Sequence, residues 1–173
     1  MTELTPDRLA ALGVKGLLLD LDNTLAPWND ANCPEDIRDW LGVVRARGVS
    51  SMILSNNVGE RVMAFAAKVD LPWLARAGKP RREAFRRALD RIGTDPSRTL
   101  AVGDRLFMDV VGGNRMGLRT VLVRPLSSSE FWGTRMVRFL EGRFVPGLPA
   151  DTLSTLPGAG DPGAGFDAGS FIG

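Results

Sequence analysis

Gly16-Leu17-Leu18-Leu19-Asp20-Leu21-Asp22-Asn23-Thr24-Leu25 decides how the rest of the chain is read. The apolar run has the character of a strand buried on both faces, and it ends abruptly in two carboxylates. In an open α/β sheet, ligands bind beyond the carboxyl ends of the strands, so this strand would deliver Asp20 and Asp22 to the crevice. Carboxylates are costly to bury without a charged partner, and a cation is the simplest way to hold both. Taken alone, the stretch is explained equally well as a strand followed by an Asp/Asn turn in which Asp20 caps the next segment. The other strand ends decide between the two.

The chain has 173 residues, 44% apolar and 24% charged, which fits one soluble domain with a substantial core. No run approaches the ~20 apolar residues that cross a bilayer. Residues 1–15 lack the apolar centre of a signal peptide, so the expected location is the cytoplasm. The single cysteine, Cys33, excludes an internal disulfide and a thiolate metal site. Histidine is absent, which excludes Ser-His-Asp, Cys-His and zinc-histidine chemistry. Catalysis then falls to carboxylates, Lys, Ser or Thr, and a hard metal ion.

Strand-like segments at 16–21, 49–55, 73–76, 99–103 and 119–124 alternate with helical patterns near 34–47, 58–69, 80–92 and 106–116. Short links between alternating elements predict a parallel sheet covered on both faces, with the Asp20 strand near its middle. Pro34 suits a helix start, and Gly48 the end of that helix. A further helix is expected over 130–143. The division is a domain over 1–145 and a flexible Gly/Pro-rich tail over 146–173, which carries no Lys or Arg.

Three more strand ends carry polar groups. Ser55-Asn56-Asn57 offers a hydroxyl and backbone N–H groups suited to phosphate oxygens, although the same triplet is a common turn. Lys79, in Gly78-Lys79-Pro80, supplies a fixed positive charge ahead of a helix; a lone lysine there is usually surface. Asp104 ends the fourth strand and Asp109 follows one helical turn later, with helix capping the ordinary use of such an Asp. Three acids, a hydroxyl and a lysine aimed at one end of a sheet are hard to explain as packing.

The set Asp20-Leu21-Asp22-Asn23-Thr24, Ser55, Lys79 and Gly103-Asp104…Asp109 resembles the haloacid dehalogenase-like (HAD) phosphohydrolases in order and content. The resemblance implies a Rossmannoid three-layer α/β sandwich with a central, mainly parallel sheet. It makes Asp20 the nucleophile that forms an aspartyl-phosphate, and Asp22 the acid and then the base. Ser55, Asn56 and Lys79 would hold the phosphoryl group. Asp20, the Asp22 backbone carbonyl and Asp104 would ligate Mg²⁺, with Asp109 supporting the metal shell or Lys79. The intervals Asp22–Ser55 and Ser55–Lys79 leave room for only a helix and a strand each, so no cap domain is expected.

A narrower likeness, carried by Asp20–Leu25, Ser55-Asn56-Asn57, and Val102–Arg115 with Gly112-Gly113-Asn114-Arg115, is to the YqeG-type, phosphatidylglycerophosphate phosphatase branch (HAD subclass IIIA). It implies a lipid phosphate as substrate. Basic clusters over 76–91 and at Arg135, Arg138 and Arg143 would suit peripheral contact with the inner face of an anionic membrane, although a mixed-charge helix like 81–91 is more often simply a solvated face. A small soluble metabolite, a nucleic-acid end and a non-catalytic binding role stay open as alternatives. With no Tyr and no interleaved aromatics, a nucleic-acid partner is not expected.

Overall fold

In the computed structural model of the chain, which describes residues 4–28, 30 and 32–126, the leucine run forms strand β1 (Gly16–Leu19). Side chains alternate across a strand, so Leu17 and Leu19 enter one core while Leu18 enters the other. Both faces of β1 therefore need cover. The sheet continues through β2 (Ser50–Leu54), β3 (Trp73–Leu74), β4 (Thr99–Gly103) and β5 (Arg119–Leu122). Its order is β3-β2-β1-β4-β5 with every pairing parallel, and β1 is central as expected.

Helices α1 (Pro6–Ala11), α2 (Glu35–Ala46) and α3 (Gly59–Val69) cover the Leu17/Leu19 side. They contribute Leu9, Ile37, Leu41, Val44, Val62 and Phe65 to that core. Helix α4 (Arg82–Ile92) lays Ala84, Phe85, Ala88 and Leu89 over Leu18, Met52 and Leu54 on the other side. Burying Phe65 or Phe85 fully is worth roughly 1.5–3 kcal/mol each, so both outer layers are held chiefly by such apolar faces. The result is the three-layer α/β sandwich expected. From β1 the chain winds outward through β2 to β3, then returns past β1 to β4 and β5. That reversal puts the topological switch point between β1 and β4, the place where open sheets bind ligands.

Several boundaries differ from expectation. Helix α1 was not foreseen, although Thr5 caps it by accepting from Arg8 N at 3.2 Å and Pro6 opens it. Strand β1 stops at Leu19 because Leu21 O turns back to accept from Leu25 N and Ala26 N, at 3.0 and 3.1 Å. The segment expected as a regular helix over 106–116 is a widened, π-type turn at Leu106–Val111 followed by α5 (Gly112–Asn114). On helix α4, Arg82, Arg86, Arg87 and Arg91 face solvent, and Arg86 pairs with Glu83 at 2.6 Å. No helix among the described residues is long and apolar enough to cross a membrane. The expected helix over 130–143, its Arg135, Arg138 and Arg143 cluster and the tail from 146 lie outside the described residues.

Candidate active site

Each polar residue picked out at a strand end reaches the same edge of the sheet. Asp20 directly follows β1, Ser55 directly follows β2 and Asp104 follows β4, while Lys79 lies beyond β3. Lys79 is 5% exposed, and its Nζ donates to Asp20 Oδ1 at 2.6 Å and to Asp109 Oδ1 at 2.5 Å. Burial alone would pull the ammonium pKa down, but the two carboxylates outweigh it and the net shift is upward. Lys79 is thus a fixed positive charge clamped between two acids.

The Lys79 backbone is held as firmly as its side chain. Asn56 Oδ1 accepts from Lys79 N at 2.8 Å, and Asn56 Nδ2 donates to Lys79 O at 3.0 Å. The amide of Asn56 therefore fixes the lysine while the residue also borders the pocket. Ser55 is 1% exposed, and its Oγ accepts from Asn57 N at 3.1 Å, an arrangement that leaves the hydroxyl proton to donate.

Asp109 reaches Lys79 because the widened turn carries it back over the end of β4, where Arg105 N donates to its Oδ2 at 3.2 Å. Its carboxyl is pushed up by burial, against the pull of Lys79, with the Asp20 charge adding to the rise. Asp104 differs in having little to satisfy it. Its buried Oδ1 has no hydrogen-bond partner, and its pKa is pushed up to about 7, first by burial and then by Asp20 and Asp109. Oxygens of Asp20, Asp104 and Asp109 lie within 4.8 Å of one another. A trio of hard oxygen donors with one unsatisfied buried oxygen fits a divalent cation such as Mg²⁺.

The Asp22 carboxylate stands apart from that trio. Its Oδ1 pairs with Arg61 Nη1, and its Oδ2 accepts from Asn57 Nδ2 at 3.2 Å. Asp20, Asp22, Ser55, Asn56, Asn57 and Lys79 line one pocket of about 210 Å³, with Trp28, Arg105 and Met108 completing its wall. Trp28 is 49% exposed and lines the pocket with Met108, so apolar surface borders this opening.

Arg61, Trp28 and Arg105 were missed in the sequence. Arg61 did carry a signal: it sits in the first turn of α3, where the helix dipole disfavours a cation. Trp28 had none, since a lone tryptophan in a polar loop has no periodic partner.

Residues 76–127 match a family model described as HAD-hydrolase-like. The chain is 37% identical over 145 residues to the probable phosphatase YqeG of Bacillus subtilis, covering 84% of each protein. It is 32% identical over 147 residues to phosphatidylglycerophosphate phosphatase 1, chloroplastic, of Chlamydomonas reinhardtii, and spans 79% of this chain but 55% of that one. A cobalt-bound deoxy-D-mannose-octulosonate 8-phosphate phosphatase from Haemophilus influenzae superposes with a TM-score of 0.51 at 13% identity, covering 63% of this chain and 68% of that one. At that identity the likeness is one of fold.

Proposed function

The chain belongs to the HAD superfamily, among the YqeG-type phosphatases, and from that premise we propose that it hydrolyses a phosphomonoester through an aspartyl-phosphate on Asp20, with phosphatidylglycerophosphate or a related lipid phosphate as its substrate. The observation that carries the chemistry is the Lys79 clamp. One cation fixes an oxygen of the nucleophile, at a place where the transferring phosphoryl oxygens also need positive charge.

In the first half-reaction an Asp20 oxygen forms a bond to phosphorus as the bond to the leaving oxygen breaks. Asp22 gives that oxygen its proton. In the second half, Asp22 takes a proton from water, the water oxygen bonds to phosphorus, and Asp20 is released with inorganic phosphate. Ser55 donates to a phosphoryl oxygen, and Lys79 offsets the charge that develops. Asp20, Asp104 and the Asp22 backbone carbonyl would hold Mg²⁺, with Asp109 behind them. When bound, the ion supplies positive charge against the phosphoryl oxygens.

The substrate class rests on openness. Between Asp22 and Ser55 the chain builds only α2 and β2, and between Ser55 and Lys79 only α3 and β3, so no cap covers the pocket among the described residues. A mouth that the described residues leave uncovered, with Trp28 and the exposed Arg105 in its wall, suits a phosphorylated headgroup presented on an anionic bilayer. The test compares kcat/KM, with Mg²⁺, on the lipid phosphate in anionic vesicles and on soluble sugar, nucleotide and aryl phosphates. Preference for the lipid, weakened by salt, is expected. Preference for a soluble metabolite with no vesicle binding at low salt would overturn the lipid assignment and leave a small-molecule phosphatase.

A further inference from the structure

Arg61 is a cation in a helix turn that disfavours one, yet its side chain is only 12% exposed and committed on every side. Its Nε donates to Asp30 O at 3.2 Å, and its Nη2 donates to Asp30 O at 2.7 Å and to Pro27 O at 3.1 Å. The remaining arm, Nη1, pairs with Asp22 Oδ1. One guanidinium thus ties α3 both to the loop that carries Trp28 and to a carboxylate at the mouth of the pocket.

From this geometry we infer that Arg61 is the positioning residue of the acid–base carboxylate, fixing Asp22 by its Oδ1 so that Oδ2 faces the reacting oxygens. The inference rests on the reading of Asp22 as proton donor and acceptor. With its Nε and Nη2 held by Asp30 O and Pro27 O, the planar guanidinium presents Nη1 to Asp22 Oδ1 from a set direction, which a flexible point charge does less well. Oδ2, beside the Asn57 amide, keeps a lone pair for the proton. That proton passes from Oδ2 to the leaving oxygen in the first half-reaction, and from water to Oδ2 in the second. Arg61 itself exchanges no proton and touches no substrate.

A misplaced proton donor is costly when the leaving group is a poor one, such as an alkoxide, and matters little for a stable phenolate. A loss of structure weakens turnover on both alike. The experiment measures kcat/KM of the full chain with Mg²⁺ on glycerol phosphate and on p-nitrophenyl phosphate, for wild type, Arg61→Gln, Arg61→Lys and Asp22→Asn. Arg61→Gln is expected to lose ~10-fold or more beyond its p-nitrophenyl loss when assayed on the alkyl ester, with Arg61→Lys recovering part of the difference. Equal losses on both esters, beside a selective loss in Asp22→Asn, would overturn the inference alone. Should Arg61→Gln fail to fold, Arg61→Lys carries the comparison, and equal losses there overturn it in the same way. Equal losses in Asp22→Asn would overturn the reading of Asp22, and the role of Arg61 with it.

Discussion

Gly103 leaves the space that the Asp109 carboxylate fills: a Cβ on Gly103 would stand 2.2 Å from Asp109 Cγ. No carbon tolerates that approach, so a side chain at 103 and Asp109 in its present place exclude each other. Gly103→Ala is therefore expected to push Asp109 off Lys79. Overpacking of this kind costs about 1–3 kcal/mol, and activity should fall at least ~10-fold as the clamp loosens. Denaturant unfolding and steady-state kinetics read the two effects. Unchanged values for both would show that Asp109 is not needed where it stands.

Lys79→Met removes the only charge that the Lys79 pairs supply to Asp20 and Asp109, leaving two buried acids facing each other. Breaking a buried ion pair from one side costs roughly 3–5 kcal/mol. The variant should be inactive and less stable in chelator, with Mg²⁺ recovering part of the loss by taking over the charge. Thermal melts with and without Mg²⁺ check this. Wild-type stability in chelator would contradict it.

Metal-free stability should fall as pH rises toward neutrality. Asp104 has a pKa pushed up to about 7 in the fold, against an ordinary 3.8. Between those values the native state holds a proton that the unfolded chain has lost, so raising pH destabilises the native state. Asp109, shifted upward as well, acts in the same direction. Mg²⁺ competes with those protons, so its stabilising effect should be greater at pH 8 than at pH 6. Melts across that range in chelator and in Mg²⁺ test the sign. Metal-free stability that climbs from pH 5 to 7 would contradict the placement of these acids.

Much of the fold was legible because β1 wears its burial openly. Leu17, Leu18 and Leu19 in succession need two covered faces, and only a central strand has them. The strand ends carrying Asp20, Ser55 and Asp104 were legible for a related reason, since polar residues that interrupt apolar runs stand out, and Lys79 was legible from its place ahead of a helix after the third strand. The widened turn at Leu106–Val111 was not, because apolar spacing over so few residues does not separate a π-type turn from an α-helix. Arg61 escaped notice because its partners, Asp22, Pro27 and Asp30, come from a distant loop that α3 meets only after folding.

The central claim is that Asp20 carries the phosphoryl group between two half-reactions. The most direct measurement mixes enzyme, Mg²⁺ and excess substrate, quenches in acid within the first turnovers, and maps any phosphorylated peptide by mass. One phosphoryl group per chain is expected on Asp20, removable by hydroxylamine as an acyl-phosphate is and absent from Asp20→Asn, which should not turn over. Normal turnover by Asp20→Asn, or a wild-type enzyme that turns over with no label on Asp20, would contradict the claim.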